Sequence, residues 1–187
     1  MDVVTPTTGA QAASSRSGFY RGVESGAWER IARGLYVPAG ASAAASDWDQ
    51  LEASTRRPEA TICLVSALAF YDLTDTIPSA LDVSIPRGTR APVSNAAIHW
   101  HRFDAATFAV ERERVPIPGS SQSIGIYTPE RTIVDCFRLR ATVGYETPRD
   151  ALKEWLRRGG KAASLMKVAG MLPRSSTPVR EALEMLA

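Results

Sequence analysis

The chain has 187 residues and a formal net charge of only +2, with 22 basic against 20 acidic residues. This balance excludes a protein that is basic over its whole surface, so a nucleic-acid partner needs a local basic patch. The hydrophobic fraction of 44% supports a folded core, and no apolar run approaches the roughly 18 residues of a membrane span.

The cysteines and the N-terminal segment indicate the compartment. Cys63 and Cys136 lie inside apolar segments, which predicts two buried thiols rather than a disulfide. Residues 1–15 have no basic start followed by an apolar stretch, so no secretion signal is predicted. We therefore expect a cytoplasmic protein with no membrane partner.

Residues 15–25 have the spacing of a short helix. Phe19 and Val23 are four residues apart and share one face, while the basic residues of the segment point mostly elsewhere. Gly18 and Gly22 lie inside this helix, and each costs about 1 kcal/mol relative to alanine. The segment is predicted to be a short helix held by one apolar face.

A tight β-hairpin follows this helix. Residues 28–31 and 35–37 are its predicted strands, and Arg33 and Gly34 form the turn, where glycine takes a positive φ without a steric clash. A short helix with basic residues outward, followed by a basic hairpin, is typical of the second half of a winged helix-turn-helix, which binds DNA. An ordinary helix-hairpin corner of a small domain has the same spacing and remains the alternative.

Small residues at 39–46 predict a linker between two domains, 1–40 and 46–187. The second domain opens with a helix that starts at its first residue and ends before Pro58. A second helix is predicted at 61–73, where apolar residues lie on almost every side and indicate a buried element. Two helices are therefore expected before the first strand of this domain.

Four short strands are predicted next. Apolar alternation and bounding turn residues mark them at 81–86, 97–103, 114–119 and 123–128. We expect these strands to form a short β-meander, because each follows the last after a short connection.

The C-terminal third is predicted to be helical. Three Thr-Pro pairs mark helix starts, because threonine caps free N–H groups and proline fits the first helical position. The pairs are at 128–129, 147–148 and 177–178. Strands followed by helices give the α+β class.

No pattern in the sequence indicates an enzyme. Glycine-rich phosphate loops, paired metal-binding cysteines and a nuclease signature are all absent from it. His99 and His101 share one face of a predicted strand, but no acidic neighbour at short spacing completes a metal site, so they are interpreted as solvent-facing imidazoles. We predict no catalytic residue, no metal and no cofactor.

The order of several segments resembles the AbiEi-type antitoxins of bacterial type IV toxin–antitoxin systems. The matching segments are ERIARGLYVPAG (29–40), SALAFYDL (66–73), DVSIPRGTR (82–90), IHWHR (98–102) and TPERTIVDCFRL (128–139). The resemblance implies an N-terminal winged helix-turn-helix and a C-terminal mixed α/β antitoxin domain. It also implies a protein that represses its own operon and counters a nucleotidyltransferase toxin encoded beside it.

By this resemblance, 15–25 is the recognition helix in the major groove and 28–37 is the wing against the phosphate backbone. The residues that the resemblance assigns to DNA are Arg16, Ser17, Tyr20, Arg21, Arg30 and Arg33. These side chains would supply both groove and phosphate contacts.

Two points qualify this DNA-binding module. An ion pair with Glu24 or Glu29 is the alternative for Arg30, and Tyr36 is expected to be a core aromatic residue. Members of the family have an amphipathic helix before Thr7, where this sequence has only six residues. The winged-helix module is therefore predicted to be truncated, without its first helix.

Basic residues of the second domain are candidate contacts to the toxin. They are Arg87, Arg90, Arg157, Arg158, Lys161 and Lys167. A polar hairpin turn and a solvated helical face are the alternatives. A nucleotidyltransferase has an acidic, metal-binding active site and binds tRNA or nucleotides. We hypothesise that a basic antitoxin face docks on that site or competes for its RNA.

The sequence thus predicts an α+β protein with a small winged-helix module and a larger mixed α/β antitoxin domain. Its expected function is that of an antitoxin that counters a nucleotidyltransferase toxin and represses its own operon. A stand-alone winged-helix transcriptional regulator without a toxin partner is the alternative. A monomer or weak dimer is expected, because winged-helix repressors often bind paired half-sites.

Overall fold

The computed structural model describes residues 3–32, 34–40, 45–93 and 96–186. Over these residues the chain is a mixed α+β protein, which confirms the predicted fold class. A two-stranded hairpin precedes a five-stranded mixed sheet, and helices follow the last strand of that sheet. No helix within these ranges is both long enough and apolar enough to pass through a lipid bilayer.

Two short helices and a hairpin form the N-terminal part. Their bounds are α1 Pro6–Ala12, α2 Arg16–Glu24, β1 Trp28–Ala32 and β2 Leu35–Pro38. The predicted helix and hairpin are confirmed. The sequence pattern does not predict α1, because threonine and glycine are weak helix formers. Thr5 begins α1 by accepting a hydrogen bond from the Thr8 N–H at 3.2 Å, and Pro6 takes the first helical position.

Residues 3–5 do not form the helix that the family pattern has before Thr7. Val4 instead pairs with Tyr36 of β2 through two backbone hydrogen bonds of 2.9 Å. A helix nevertheless precedes the predicted recognition helix, since α1 and α2 are joined by a turn at 13–15. The N-terminal part is therefore a pair of short helices followed by the hairpin.

The two helices and the hairpin meet at Phe19, whose side chain is fully buried. Its ring lies against Tyr36 and Trp28, with centroid distances of 5.1 and 5.7 Å. A side chain at Gly9 would collide with the Phe19 ring, and a Cβ at Gly22 would lie 2.9 Å from Trp28 Cδ1. These glycines lower helix propensity, but they let the aromatic rings approach the helices.

The large sheet is built from five strands. They are β3 Thr61–Ile62, β4 Leu81–Pro86, β5 Ile98–Phe103, β6 Arg112–Pro116 and β7 Ser123–Tyr127. Their order across the sheet is β5-β4-β3-β7-β6. The predicted β-meander is wrong, because β4 and β5 run parallel and β3 lies between β4 and β7. Apolar alternation marks a strand but does not determine which strand pairs with it.

The helix predicted at 61–73 is also wrong over its first residues. Thr61 and Ile62 form β3, and the helix that follows, α4 Leu64–Phe70, is shorter than predicted. A short apolar run has the same sequence pattern in a buried strand and in a buried helix, so periodicity does not separate the two.

The remaining helices confirm the helix predicted before Pro58 and the helical C-terminal third. They are α3 Ala45–Arg56, α5 Pro129–Arg138, α6 Arg140–Val143, α7 Glu146–Arg157, α8 Ala162–Met171 and α9 Ser176–Leu186. The first Thr-Pro pair starts a helix as predicted, and Thr128 Oγ1 accepts a hydrogen bond from the Arg131 N–H at 3.3 Å. The other two predicted caps are wrong, because α7 and α9 begin one residue before Thr147 and Thr177. The Thr147 hydroxyl instead donates to the Val143 carbonyl at 2.8 Å.

Two clusters of buried apolar residues hold these elements together. One joins α5 to α4, α7, α8 and α9 and includes Tyr127 at the end of β7. The second joins α3, β4 and β7 to the inner side of the hairpin, where Leu35 and Val37 are buried. The hairpin therefore packs on the larger part of the chain.

Cys63 and Cys136 are fully buried and free, as predicted. Burial raises the pKa of both thiols well above their usual value, and the carboxylates of Asp82 and Asp135 add to this effect. Both side chains therefore stay protonated at neutral pH and pack as small apolar groups.

Candidate functional site

The outer face of α2 carries four of the residues predicted to bind DNA. Arg16, Ser17, Tyr20 and Arg21 are all exposed, and the helical step of about 100° per residue places them on one face. Phe19 holds the opposite face in the aromatic cluster. We call these four exposed residues the α2 surface.

The two arginines of the α2 surface carry uncompensated charge. Among the described residues, neither Arg16 nor Arg21 has an ion pair or a side-chain hydrogen bond. The helix is capped by Ser15, whose Oγ accepts a hydrogen bond from the Gly18 N–H at 2.9 Å and lies 3.4 Å from Ser17 Oγ. Both guanidinium groups are thus open to an anionic partner.

The hairpin adds one more predicted residue at this end of the molecule. Arg30 is exposed on β1, opposite Tyr36 of β2. Tyr36 is buried, which confirms that it is a core aromatic residue. Arg33 lies outside the described residues. Gly34, which follows it, has a φ of +77°, the left-handed conformation predicted for the turn.

Arg157 and Arg158, two of the predicted toxin contacts, bind a carboxylate of their own chain. Both donate to Glu154 Oε1, at 2.6 Å from Arg157 Nη2 and 2.5 Å from Arg158 Nε. These hydrogen bonds, first that of Arg157 and then that of Arg158, lower the pKa of Glu154 to about 2. Arg158 also donates to the carbonyls of Tyr71 and Asp72, at 3.1 and 2.6 Å, and so joins α7 to the loop after α4.

We call Glu154, Arg157 and Arg158 the α7 end. The cleft beside it has mixed charge, and its charged lining residues are Asp72, Asp75, Asp150, Lys153, Glu154, Arg157 and Arg158. Lys161 precedes α8 and Lys167 lies on it, and both are exposed outside this cleft. Carboxylates therefore stand beside the basic residues at this end of the helix.

The other two predicted toxin contacts follow β4. The Arg90 carbonyl accepts two hydrogen bonds from Arg57, at 3.2 Å from Nε and 2.7 Å from Nη2. The Arg87 N–H donates to the Phe103 carbonyl at 2.6 Å, and the exposed Arg87 side chain lines a different cleft from the one beside the α7 end. The structure thus does not bring Arg87 together with the α7 end.

Four arginines line this other cleft, which has a volume of about 640 Å³ and which we call the arginine cleft. They come from the turn after β4, the end of α5, the start of α6 and the loop between α8 and α9: Arg87, Arg138, Arg140 and Arg174. Asp104 is the one carboxylate among the described residues that line it. Only Arg87 is singled out by the sequence pattern, because nothing local indicates that three distant segments meet.

A buried ion network lies beneath the arginine cleft. Arg131 is fully buried, and its Nε donates to Asp135 Oδ2 at 2.7 Å, while its Nη1 donates to the carbonyls of Thr107 and Val110. The other carboxylate oxygen of Asp135 accepts a hydrogen bond from Arg138 Nη2 at 2.7 Å. One buried carboxylate on α5 therefore holds two arginines of the same helix.

Aromatic rings and a carbonyl fix the arginines further. The Arg138 guanidinium lies 5.4 Å from the centre of the Phe103 ring, and its buried Nε has no hydrogen-bond partner within the described ranges. Arg140 Nη1 donates to the Phe137 carbonyl at 3.0 Å, and its guanidinium lies 5.9 Å from the centre of the Tyr145 ring. Two of the four arginines are therefore held in place by the protein itself.

His99 and His101 are close to a carboxylate that sequence spacing did not reveal. Asp82 Oδ1 lies 2.8 Å from His101 Nε2 and 3.8 Å from His99 Nδ1, because β4 and β5 pair in parallel. The interpretation as solvent-facing imidazoles holds for His99, which is exposed, but is wrong for His101, whose side chain is only 21% exposed. Across the described ranges, no group of three or more histidine, cysteine, aspartate or glutamate side chains could hold a metal ion.

The chain has a distant structural match among known proteins but no match to a protein family or to a curated protein. No protein-family model matches the chain, and no curated protein matches it. The chain is similar to a solved structure, that of RV2827C protein from Mycobacterium tuberculosis, at a TM-score of 0.49 and 15% sequence identity. That match covers 98% of this chain and 76% of the other. A likeness this distant has no bearing on function.

Proposed function

We propose that this protein binds DNA through the α2 surface and the hairpin. The supporting observation is that α2 exposes Arg16, Ser17, Tyr20 and Arg21 on one face, while its other face is anchored by Phe19. Two of these side chains are arginines without a partner among the described residues. A rigid helix with open guanidinium groups fits a DNA groove.

The mode of binding follows from the chemistry of these side chains. An α-helix with its side chains is about 10–12 Å in diameter, so a major groove about 12 Å wide admits it. Arginine binds phosphate oxygens or the O6 and N7 atoms of guanine through two parallel hydrogen bonds, and serine and tyrosine hydroxyls bind phosphates. Arg30, exposed on the hairpin beside α2, is the candidate wing contact to the backbone.

We further propose that this DNA binding represses the operon that encodes the protein, and that the protein counters a nucleotidyltransferase toxin encoded beside it. This part of the proposal is supported by the resemblance to AbiEi-type antitoxins. The alternative is a stand-alone winged-helix regulator with no toxin partner, which the same α2 surface would equally serve.

The DNA-binding proposal is tested by fluorescence anisotropy with the promoter of the protein's own operon. The Arg16→Ala/Arg21→Ala variant is expected to bind at least tenfold more weakly. The slope of log affinity against log salt concentration should also become shallower, by the equivalent of up to about two phosphate contacts. A matched control is Arg102→Ala/Arg180→Ala, which removes two exposed arginines from β5 and α9. Equal affinity of the two variants would contradict the proposal.

The antitoxin proposal is tested separately, by co-expression with the neighbouring nucleotidyltransferase. Restored growth is expected, and a pull-down distinguishes neutralisation by contact from action at the toxin's target. Promoter binding without restored growth would favour the stand-alone regulator instead.

A further inference from the structure

The arginine cleft combines concave shape with uncompensated positive charge. Arg87, Arg140 and Arg174 have no carboxylate partner within the described part of the chain, and Arg138 shares Asp135 with Arg131. Guanidinium groups bind phosphate oxygens with two parallel hydrogen bonds, and they keep their charge at any physiological pH. The chemistry of the cleft is therefore that of a phosphate site.

Among the described residues that line the cleft, one carries a negative charge. Asp104 lines the cleft, and its Oδ1 accepts a hydrogen bond from the Ala106 N–H at 2.9 Å. Because Arg138 is paired with Asp135, three guanidinium groups that are unpaired within the described ranges face one carboxylate, which leaves the cleft positive. A multiply charged anion is the ligand that such a cleft favours.

The cleft is organised before any ligand arrives. Arg138 is held by Asp135 and by the Phe103 ring, and Arg140 is held by the Phe137 carbonyl. Ordering long side chains on binding costs entropy, and here two of the four are already ordered.

A second cavity of about 280 Å³ adjoins the arginine cleft. Arg140 and Pro178 line both cavities, and the second also contains Phe137, Tyr145 and Met185. The Tyr145 side chain is 65% exposed, and its ring lies beside the Arg140 guanidinium. An exposed ring next to a cation is a stacking surface for a nucleobase.

We infer that these two neighbouring cavities bind a nucleoside polyphosphate, with the phosphates on the arginines of the first and the base against Tyr145 in the second. The combined size is that of a small-molecule site, since such pockets measure roughly 300–1,000 Å³. The site is separate from the α2 surface, so it does not depend on the proposed DNA binding.

Calorimetric titration of the full chain tests this inference. The probes are ATP, GTP, CTP and UTP, with inorganic tripolyphosphate as the phosphate without a base. The Arg87→Ala/Arg174→Ala variant, which changes two exposed side chains, is expected to bind nucleotides and tripolyphosphate at least tenfold more weakly. Tyr145→Ala is expected to weaken nucleotide binding severalfold and to leave tripolyphosphate binding within twofold of the parent.

The matched control is Arg16→Ala/Arg21→Ala, which removes the same charge from the α2 surface and should leave nucleotide binding within twofold. Promoter binding should be lost in Arg16→Ala/Arg21→Ala and kept in Arg87→Ala/Arg174→Ala. The two measurements together therefore test the α2 surface and the arginine cleft separately. No binding heat at millimolar nucleotide, or equal losses in both double variants, would overturn the inference. A single-stranded oligouridylate that binds far more tightly than UTP, and loses affinity in the same variant, would overturn it in favour of an RNA site.

Discussion

The α7 end and the arginine cleft are both rich in arginine. Carboxylates offset the charge of the α7 end, whereas most arginines of the cleft have no carboxylate partner in the described part of the chain. Both arginines of the α7 end bind Glu154, three and four residues before them on the same helix. In the arginine cleft, Arg87, Arg140 and Arg174 find no carboxylate in the described part of the chain. Consecutive arginines near several carboxylates thus have their charge offset locally, whereas arginines from three separate segments of the chain leave a net positive charge.

The largest expected effect comes from removing the support of the arginine cleft. Arg131→Ala should lower the free energy of unfolding by about 3–5 kcal/mol, because it leaves the buried Asp135 carboxylate with one partner instead of two. Urea denaturation measures this change. The exposed Arg102→Ala control should change the free energy of unfolding by no more than about 0.5 kcal/mol. If both variants lose similar stability, the buried ion network does not stabilise this region.

Removing the carboxylate of the arginine cleft should increase its affinity for nucleotides and so its difference from the α7 end. Asp104→Asn is expected to tighten nucleotide binding about three- to tenfold, because a nearby negative charge opposes phosphate by about 1 kcal/mol. The asparagine oxygen can still accept the Ala106 N–H, so the local turn is kept. Titration with ATP checks this, with Asp75→Asn in the cleft beside the α7 end as the silent control.

A smaller effect is expected from the paired arginines themselves. Arg157→Ala/Arg158→Ala removes as much charge as Arg87→Ala/Arg174→Ala, but nucleotide affinity should stay within twofold of the parent. The reason is that Glu154 and the aspartates lining the same cleft already offset the charge of the α7 end. If this variant loses as much affinity as the cleft variant, nucleotide binding follows net charge alone and the two regions do not differ.

The smallest effect is a pH dependence at the α7 end. Hydrogen bonds from Arg157 and Arg158 lower the pKa of Glu154 from its ordinary value of 4.5 to about 2. A depressed carboxyl pKa adds stability that is complete above the unfolded value and is lost as the pH falls through the folded value. The melting temperature of Glu154→Gln should therefore lie slightly below the parent's above pH 4.5, with the difference shrinking towards pH 2. A difference that stays constant across this range would contradict the ion pairs.

Local features of the fold could be predicted from the sequence. The helix and hairpin at the N-terminus depend on spacing within a few residues, and the Thr128 cap depends on its neighbours alone. The strand β3 could not be predicted, because its two residues become a strand only between β4 and β7. The parallel pairing of β4 with β5 is likewise a long-range property.

The same limit separates the two candidate sites. The α2 surface lies within six consecutive residues, so helical periodicity alone groups its side chains. The arginine cleft brings Arg87, which follows β4, together with three arginines of the C-terminal helical part, Arg138, Arg140 and Arg174. The contact between His101 and Asp82 depends on strand register in the same way. Residues that meet through tertiary structure leave no pattern in the sequence.

The backbone pairing of Val4 with Tyr36 has a consequence for self-association. β2 has β1 on one side and Val4 on the other, and the Val3 carbonyl accepts a hydrogen bond from the Gln122 side chain at 3.2 Å. Removing Val4 would uncover the backbone N–H and C=O groups of Tyr36 on β2, and unpaired groups on a strand edge are a template for a strand of another molecule. Val4 thus covers part of the open edge of that strand and opposes its edge-to-edge pairing with another molecule.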